Sequence, residues 1–514
     1  MTLQVRLEGI RARRAGGLAA AGVVAMALVG CVVEDDPPTS TAESAVISCP
    51  TTPTQINHSL VVTEPETLKR FSFGAVMDAI LDSVKHAPMT RLQLFQNWMQ
   101  TYAPLACPGT DIDPNGYGLR CPRTREASLA ASDPYNKLSP DFFKPVALFN
   151  RFDLAPKDGR HCGEHRIVFA KASASALDRG FLIFEAALPN PQPAQGLAGC
   201  FPVARFWQSL SGASADKRAE ALEAFYFTGI VEPTTGVTIG PVITAANYGL
   251  IARRGEIRLF GYGDAERAGQ VRTNMFIDAS GLFEWNLREF KLDLDCTHSP
   301  ATEFDADADT VVRPLPTACN LRFEHVTVAN NPANELFDDS HVNAPDFQSH
   351  FVKHDVASLA SPPPGLVCGG PANLIGMGTP DDFNEFESLS SGSTDVVYSG
   401  FTSAPFRAAI TTKVGVVNPA LDATNVLDRA TTQTCGGCHQ HSNNDPLGGG
   451  IAWPASLGFV HVDETSALST ALTGTFLPFR QCVLDDYIAD VCGGYSIGGD
   501  GGLTLGGKAD GAAN

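Results

Sequence analysis

Basic residues are scarce in this chain. Its 514 residues include 37 lysines and arginines against 56 aspartates and glutamates, which gives a formal net charge of −19 at pH 7. A surface this acidic repels the phosphates of nucleic acids and of anionic lipid headgroups. The composition therefore argues against nucleic acid as a partner and against membrane binding through basic patches. It suits contact with a basic partner protein.

Long apolar runs are also lacking, since no segment reaches the roughly eighteen apolar residues that a membrane-spanning helix needs. The nearest candidate, residues 15–30, is shorter and follows arginines at positions 6, 11, 13 and 14. A short apolar run behind a basic stretch is typical of a secretory signal peptide. Its end, Leu28-Val29-Gly30-Cys31, resembles a bacterial lipobox, which implies lipid transfer to the Cys31 thiol and cleavage before it. We therefore expect a lipid-anchored protein of the bacterial cell envelope, on the periplasmic or surface side of the outer membrane. The alternative is an ordinary secreted protein.

Complete calcium loops are missing. Asp111, Asp113, Asn115 and Gly116 copy the first half of an EF-hand loop, but Pro122 occupies the twelfth position, where a bidentate glutamate belongs. The acidic residues at positions 305, 307 and 309 also lack the following glycine. Asp and Gly at such spacings commonly form turns. We therefore expect turns at both places and no bound calcium.

The sequence contains a zinc-protease motif, but the residues around it do not favour the helix that this motif requires. Residues 161–165 are His-Cys-Gly-Glu-His, which fits the pattern H-x-x-E-H. That chemistry requires both histidines on one helix. Gly159, Gly163 and the apolar run after Arg166 instead favour a turn that leads into a strand.

Cysteine, by contrast, is abundant, with 13 in the chain. Cysteines of exported proteins are usually paired. When Cys31, Cys435 and Cys438 are set aside, the remaining cysteines are even in number, which permits complete pairing. Spacing alone does not fix connectivity, but short loops favour three pairs. These are Cys107–Cys121, Cys296–Cys319 and Cys482–Cys492.

The strongest motif is Cys435-Gly436-Gly437-Cys438-His439, which fits the C-x-x-C-H pattern of covalent haem attachment. Two thiols at this spacing can form thioethers to one edge of the porphyrin, and the histidine can then bind the iron. The glycines allow the backbone to turn tightly beside the macrocycle. A disulfide between the two cysteines and a zinc site are the alternatives. We predict haem c, with Cys435 and Cys438 as attachment points and His439 as axial ligand.

A methionine for the second axial position is missing. The last of the seven methionines is Met377, so none follows the motif, although small soluble cytochromes c usually take a downstream methionine. His461 is a candidate second ligand, and it also fits an ordinary strand or surface histidine. The other options are a group from the N-terminal region and an open coordination position. Arg429, which precedes the motif, is a candidate for tuning the potential of the iron.

Patterning predicts an α+β fold with a mainly antiparallel sheet, because strand-like runs cluster with few regular crossovers. Apolar residues recur at helical spacing over residues 67–86, 92–102, 203–210, 216–227, 344–361 and 421–432. Strand-like runs cover residues 166–170, 181–187, 256–262, 270–277, 283–294 and 321–328.

Composition shifts divide the chain into five segments. We predict a lipoprotein signal peptide at 1–30 and a flexible tether, rich in Pro, Thr, Ser and acidic residues, at 31–57. A large α+β body of one or two subdomains follows at 58–417. A small, mostly helical, cytochrome c-like module then spans 418–495, and a disordered glycine-rich tail spans 496–514.

Most of residues 58–480 resembles an uncharacterised family of bacterial secreted lipoproteins with a C-terminal C-x-x-C-H motif. Four stretches carry the resemblance: residues 145–154, residues 182–190, residues 285–291, and the C-x-x-C-H region through Phe476-Leu-Pro-Phe-Arg480. The resemblance implies a shared architecture and no particular activity.

These patterns predict a membrane-anchored, extracytoplasmic, single-haem c-type protein that transfers electrons, with a redox partner protein. Whether the site also catalyses a reaction is left open. The alternative is a disulfide-stabilised surface binding or scaffold lipoprotein, in which Cys435–Cys438 is one more structural disulfide.

Overall fold

The structure, a computed structural model, describes residues 53–84, 87–103, 122–172, 178–253, 268–276, 285–298, 316–328, 331–360, 368, 375–392 and 398–493. Several predicted features lie outside the described residues. These are the signal peptide with Cys31, most of the tether, both calcium-like segments, the Cys107–Cys121 pair, the strand-like run at 256–262 and the tail.

Eleven strands are present in the described part of the chain. They are Val61–Val62 (β1), Phe143–Arg151 (β2), His161–Lys171 (β3), Gly180–Pro189 (β4), Ile230–Val231 (β5), Thr238–Ile239 (β6), Ile251–Arg253 (β7), Gln270–Met275 (β8), Asn286–His298 (β9), Pro316–Val326 (β10) and Ser390–Gly392 (β11). Nine of them form one sheet, in which β1-β2-β3-β4-β8-β9-β10 are antiparallel neighbours. The short strands β7 and β11 also pair with β9, in parallel and antiparallel orientation respectively.

Twelve α-helices are described. They are Ile56–Ser59 (α1), Pro65–Leu68 (α2), Phe73–Asp82 (α3), Arg91–Gln100 (α4), Thr124–Ser128 (α5), Phe201–Ser209 (α6), Ala215–Phe227 (α7), Ala344–His350 (α8), Val356–Ala360 (α9), Ala404–Val417 (α10), Ala423–Thr431 (α11) and Leu477–Gly493 (α12). Single π-helical turns occur at Phe351–Asp355, Gly437–His441 and Leu472–Phe476. Helices and a mainly antiparallel sheet confirm the predicted α+β class.

One face of the large sheet is apolar and lies under helices α3, α4, α6 and α7. Side chains alternate between the two faces of a strand, so this face collects every second residue. Phe169 and Phe184 contact Phe73 of α3, and Trp98 of α4 stacks on Phe323 at 4.1 Å between ring centroids. The apolar stripes predicted on the first two long helices are therefore core.

The opposite face of the same sheet is charged. The strand register places Arg166 beside Glu185 and Arg272 beside Glu289, between the residues of the apolar face. We call this surface the charged face. Residues of the C-terminal segment cover it, since Arg179, at the start of β4, pairs with Glu464 and Asp153, after β2, pairs with Arg480.

A second apolar core lies between helices α8 to α11. Phe337 stacks on Tyr398 with 4.0 Å between ring centroids, and Phe351 packs on Phe406 of α10. Helix α11 then carries the chain towards Cys435, as its sequence pattern predicts. The domain boundary at residue 418 stays a prediction. Residues on its C-terminal side, including Phe459 and Leu484, belong to the same hydrophobic core as the sheet.

The disulfides differ in part from the predicted pairs. Cys162 bonds to Cys200, and Cys368 bonds to Cys482. The predicted pair of Cys482 with Cys492 is therefore wrong. Both residues lie on α12, and ten residues of helix separate Cα atoms by about 15 Å, far beyond the reach of a disulfide. Cys319 is disulfide-bonded, and the register of β9 and β10 places it directly opposite Cys296, its predicted partner.

The structure also shows the positions of two further pairs of histidines. His161 and His165 lie on strand β3, so the H-x-x-E-H segment is not a helix, and it belongs to the strand itself instead of the predicted turn before it. His350 and His354 share a face, with 4.6 Å between ring centroids. Asp355 lies 3.9 Å from His350. Among the described residues, no helix is both long and apolar enough to cross a membrane.

Candidate functional site

The C-x-x-C-H motif begins four residues after α11 and includes a turn of π-helix. Gly437 N–H donates to Thr434 Oγ1 at 2.9 Å, and Thr434 Oγ1 in turn donates to the Thr431 carbonyl at 2.8 Å. This folding brings the backbone of Gly437 against the end of α11. A Cβ atom at Gly437 would lie 1.9 Å from the Thr431 carbonyl oxygen. The close approach to α11 therefore requires glycine at this position, and the tight turn beside a macrocycle stays a prediction.

The Gly437→Ala substitution is expected to lower the stability of the fold by about 2 kcal/mol or more, because a backbone carbonyl blocks the added methyl group. Urea unfolding followed by circular dichroism measures this loss. Gly415→Ala, in the last turn of α10, is the matched control because nothing lies within 4 Å of its added Cβ. Alanine there is expected to raise stability by up to about 0.5 kcal/mol through helix propensity. Equal effects of the two substitutions would contradict the steric role of Gly437.

Cys435 and Cys438 are thiols and are not joined to each other in a disulfide. Both are partly accessible to solvent. Burial raises the pKa of the Cys438 thiol to about 11, although the charges of Arg151, Arg480 and Arg272 oppose that effect. Cysteine nucleophiles need a lowered pKa to exist as thiolates at neutral pH. The environment of Cys438 therefore does not support a cysteine-histidine hydrolase.

His439 is held in one tautomer. Its Nδ1 lies 3.0 Å from the Phe459 carbonyl oxygen, which can only accept, so Nδ1 carries the proton. Burial lowers the pKa of His439 to about 4, so the imidazole is neutral at physiological pH. The lone pair is then on Nε2. A neutral imidazole whose Nδ1–H donates to a backbone carbonyl is the arrangement of most metal-bound histidines.

Phe459 is itself held in an unusual conformation. Its φ is 62°, a left-handed value that is rare for a bulky residue. Its N–H donates to Gln440 Oε1 at 3.3 Å, and its carbonyl accepts a second bond from Asn274 Nδ2 at 3.0 Å. Its ring stacks on Trp285 with 4.7 Å between centroids. These contacts fix the carbonyl that orients His439, which is where a strained backbone has a functional reason to persist.

The sequence did not identify Asn274 and Trp285 as site residues. Asn274 lies on β8 of the large sheet, and Trp285 precedes β9 and stacks on His439 at 5.8 Å between centroids. The Trp285 indole N–H donates to Asn274 Oδ1. Trp285 begins one of the stretches that carry the family resemblance, but nothing in that stretch indicated contact with residues about 150 positions later.

His461, the candidate second ligand, lies on the same side of the motif as His439. Its Nε2 is 3.8 Å from Cys438 Sγ, and its Nδ1 is 3.0 Å from Ser469 Oγ. The His439 and His461 ring centroids are 4.8 Å apart. Two imidazoles bound on opposite sides of one metal need centroids about 6 Å apart, because each metal–nitrogen bond is about 2 Å long. The present spacing leaves no room for an iron between the rings.

The charged face of the sheet forms a wall of the site. The side chains of Arg151, Arg166 and Arg272 are 17%, 16% and 17% exposed, so they reach space that solvent can enter. Arg166 pairs with Glu185 at 2.8 Å, and Arg272 pairs with Glu289 at 3.0 Å. Burial raises the pKa of Glu289, against the opposing charge of Arg272.

The residues present fit a covalently attached haem. Two thiols at the required spacing, an adjacent imidazole with its Nε2 lone pair, aromatic rings beside that imidazole and arginines for propionate carboxylates are all in place. Zinc fits less well. In the described part of the chain, only Cys368, Cys482 and Asp486 bring three ligand atoms close enough to share an ion, and both those sulfurs are in a disulfide.

Arg429 is buried, and its hydrogen bonds have a structural role. It donates to the carbonyls of Leu447 at 2.8 Å, Leu359 at 2.6 Å and Gly448 at 3.1 Å. These carbonyls belong to the end of α9 and to the loop after the motif. Arg429 thus ties α11 to both, and no contact of its side chain with the motif supports the predicted role in tuning the iron.

The chain was compared with protein-family models, curated proteins and solved structures, and no match was found.

Proposed function

We propose that this chain is a single-haem c-type protein that transfers electrons outside the cytoplasm. Cys435 and Cys438 would carry the thioether bonds, and His439 Nε2 would bind the iron. The haem supplies one-electron redox chemistry when bound. The chain's own residues would hold His439 neutral and oriented, through Phe459 and Asn274, and would enclose the group between the C-terminal segment and the charged face of the sheet.

The geometry of His439 is the observation that carries this proposal. A C-x-x-C-H match alone also fits a disulfide. The hydrogen bond from Nδ1–H to the Phe459 carbonyl leaves Nε2 as the free ligand atom, next to two thiols that are not oxidised to each other. A disulfide would need neither a fixed imidazole tautomer nor a strained residue to hold it.

The alternative is a disulfide-stabilised scaffold or binding lipoprotein. It is favoured by the Cys162–Cys200 and Cys368–Cys482 bonds, which already staple the fold. It requires Cys435 and Cys438 to pair as well, although both are thiols in this structure.

The remaining parts of the proposal concern location and partners. A lipid on Cys31 would anchor the chain in the bacterial envelope, in keeping with the proposed family of secreted lipoproteins. The net charge of −19 would favour a basic redox partner.

Production in a host with haem-attachment machinery, followed by a reduced pyridine-haemochrome spectrum, tests the proposal. We expect about one covalent haem per chain in the wild type and none in the Cys435→Ser, Cys438→Ser double variant. The Cys162→Ser, Cys200→Ser double variant is the control, because it removes a disulfide outside the motif and should keep its haem. A wild-type protein without covalent haem would leave the scaffold alternative standing.

A further inference from the structure

Arg480 lies on α12 with its guanidinium turned towards the site. Its side chain is 11% exposed. Its contacts are an ion pair, with 3.8 Å between Nε and Asp153 Oδ2, and the ring of Phe476 with its centroid 5.9 Å away. Within the described ranges, no protein acceptor forms a hydrogen bond to the guanidinium. Five donors of a nearly buried cation are therefore left for something else to accept.

Asp153 does not accept hydrogen bonds from Arg480, because it already accepts them from another arginine. Arg151 binds Asp153 in a bidentate manner, with 3.0 Å from Nε to Oδ1 and 2.9 Å from Nη2 to Oδ2. Arg166 likewise has direct hydrogen bonds to Glu164. Of Arg151, Arg166 and Arg480, Arg480 is therefore the one whose guanidinium forms no hydrogen bond to a carboxylate in the described part of the chain.

The position of Arg480 places it beside the motif. Its charge acts on the Cys438 thiol and repels that of Arg151, and burial together with this repulsion lowers the pKa of Arg480 to about 9. The guanidinium nevertheless remains charged at neutral pH. A buried cation beside a second cation, without hydrogen bonds, becomes much more stable when an anion binds it.

We propose that Arg480 is an anion receptor, whose guanidinium binds a carboxylate or a small oxyanion in the space beside Cys438. This inference deepens the proposed function and rests on it for one of two sources of the anion. If haem is attached, one of its propionate groups would supply the carboxylate. The other source is a free oxyanion that enters from solvent. Both present a pair of oxygens that can accept the two parallel hydrogen bonds of an arginine fork.

The test compares wild type, Arg480→Gln, Arg480→Lys and the surface control Arg160→Gln, all produced with haem-attachment machinery. Arg160 is 47% exposed. Resonance Raman spectra report the propionate bending band, which responds to hydrogen bonds on the propionate. If a propionate is the ligand, the band shifts in Arg480→Gln, shifts partly in Arg480→Lys and stays unchanged in Arg160→Gln. Because lysine keeps the charge and loses the fork, this order separates binding from a general loss of structure.

Calorimetric titration with inorganic phosphate tests the second source. If a free oxyanion is the ligand, phosphate binds the wild type and binds Arg480→Gln about 10- to 100-fold more weakly, as expected for the loss of a charge-assisted hydrogen-bond pair. Variants with unchanged Raman bands and unchanged phosphate binding would overturn the inference.

Failure of the proposed function is visible separately, as a wild type without covalent haem. The proposed role of Arg480 as an anion receptor is then tested by titrating that haem-free wild type with inorganic phosphate and with sodium propionate. Binding that the Arg480→Gln substitution removes supports the receptor, and no binding of either probe overturns it.

Discussion

Replacing His439 with alanine is expected to reduce covalently bound haem by at least about tenfold. Loss of groups that merely orient a metal ligand already costs 10- to 100-fold in metal affinity, and His439 is the proposed ligand itself. The hydrogen bond from Nδ1–H to Phe459 would also disappear, so the loop around residue 459 would lose one of its ties to the motif. Haem content per chain, from the pyridine-haemochrome absorbance and a protein assay, measures the effect.

His461→Ala is the matched control for that experiment, because its ring lies 4.8 Å from the His439 ring and is buried to a similar degree. We expect this variant to keep its haem and its visible spectrum, since the two rings are too close to bracket an iron. Loss of low-spin bands in His461→Ala would contradict that expectation. It would mean that His461 is the second axial ligand and that the rings separate when haem binds.

The Arg429→Leu substitution is expected to destabilise the fold by about 4 kcal/mol. Each hydrogen bond from a charged donor contributes about 1.5–3 kcal/mol, and relief from burying a cation offsets part of the loss. The freed carbonyls include those of Leu359 and Leu447, so the contact of α11 with its two neighbours would loosen. Urea unfolding with the slope held common to all variants gives the difference.

Two further variants make the Arg429 result interpretable. Arg429→Lys keeps the charge but cannot reach carbonyls on both sides, so an intermediate loss is expected. Arg160→Leu removes an exposed arginine and should change stability by less than about 0.5 kcal/mol. If Arg429→Leu were as stable as Arg160→Leu, the hydrogen bonds of Arg429 would not hold α11 in place.

Local patterns predicted much of the fold because they depend on neighbouring residues. The helix at Ala215–Phe227 and the strand at Gly180–Pro189 match their predicted ranges within three residues, because apolar spacing and β-branched or aromatic content are local. The apolar run after Arg166 predicts the second half of the strand at His161–Lys171, whereas the glycines predict a turn over residues 161–165, where the structure has strand. The α+β class followed from the clustering of such strands.

Contacts between residues that are far apart in the chain could not be predicted from the sequence. Cys482 was assigned to Cys492 because the loop is short, but a helix keeps the two apart, and the true partner, Cys368, is 114 positions away. The charged face of the sheet was missed for a similar reason. Arg272 faces Glu289 only because the register of two strands places them side by side, and the same register puts Asn274 within reach of Phe459.

The residues of the candidate site also fall into those found from a local pattern and those that depend on long-range contacts. Cys435, Cys438 and His439 came from a motif whose spacing expresses its chemistry, so the sequence was sufficient to find them. What orients His439 could not be found that way, because Phe459 acts through its backbone carbonyl and any residue type has one. Arg429 was assigned to the iron because it is near in sequence, whereas its partners are carbonyls of Leu359 and Gly448.

The charged face of the sheet also affects how the chain folds while its synthesis is still incomplete. Apart from the short strand β11, the strands of the sheet and the helices that cover its apolar face precede residue 328, whereas the segment that covers the charged face follows residue 435. A chain that still lacks its C-terminal segment can therefore already bury the apolar face of the sheet. Until that segment is added, the charged face exposes arginines and glutamates to water. Exposed apolar surface is what drives half-made proteins to aggregate. The ionic composition of this face thus allows the residues after 435 to pack onto it late, without leaving an apolar surface exposed in the meantime.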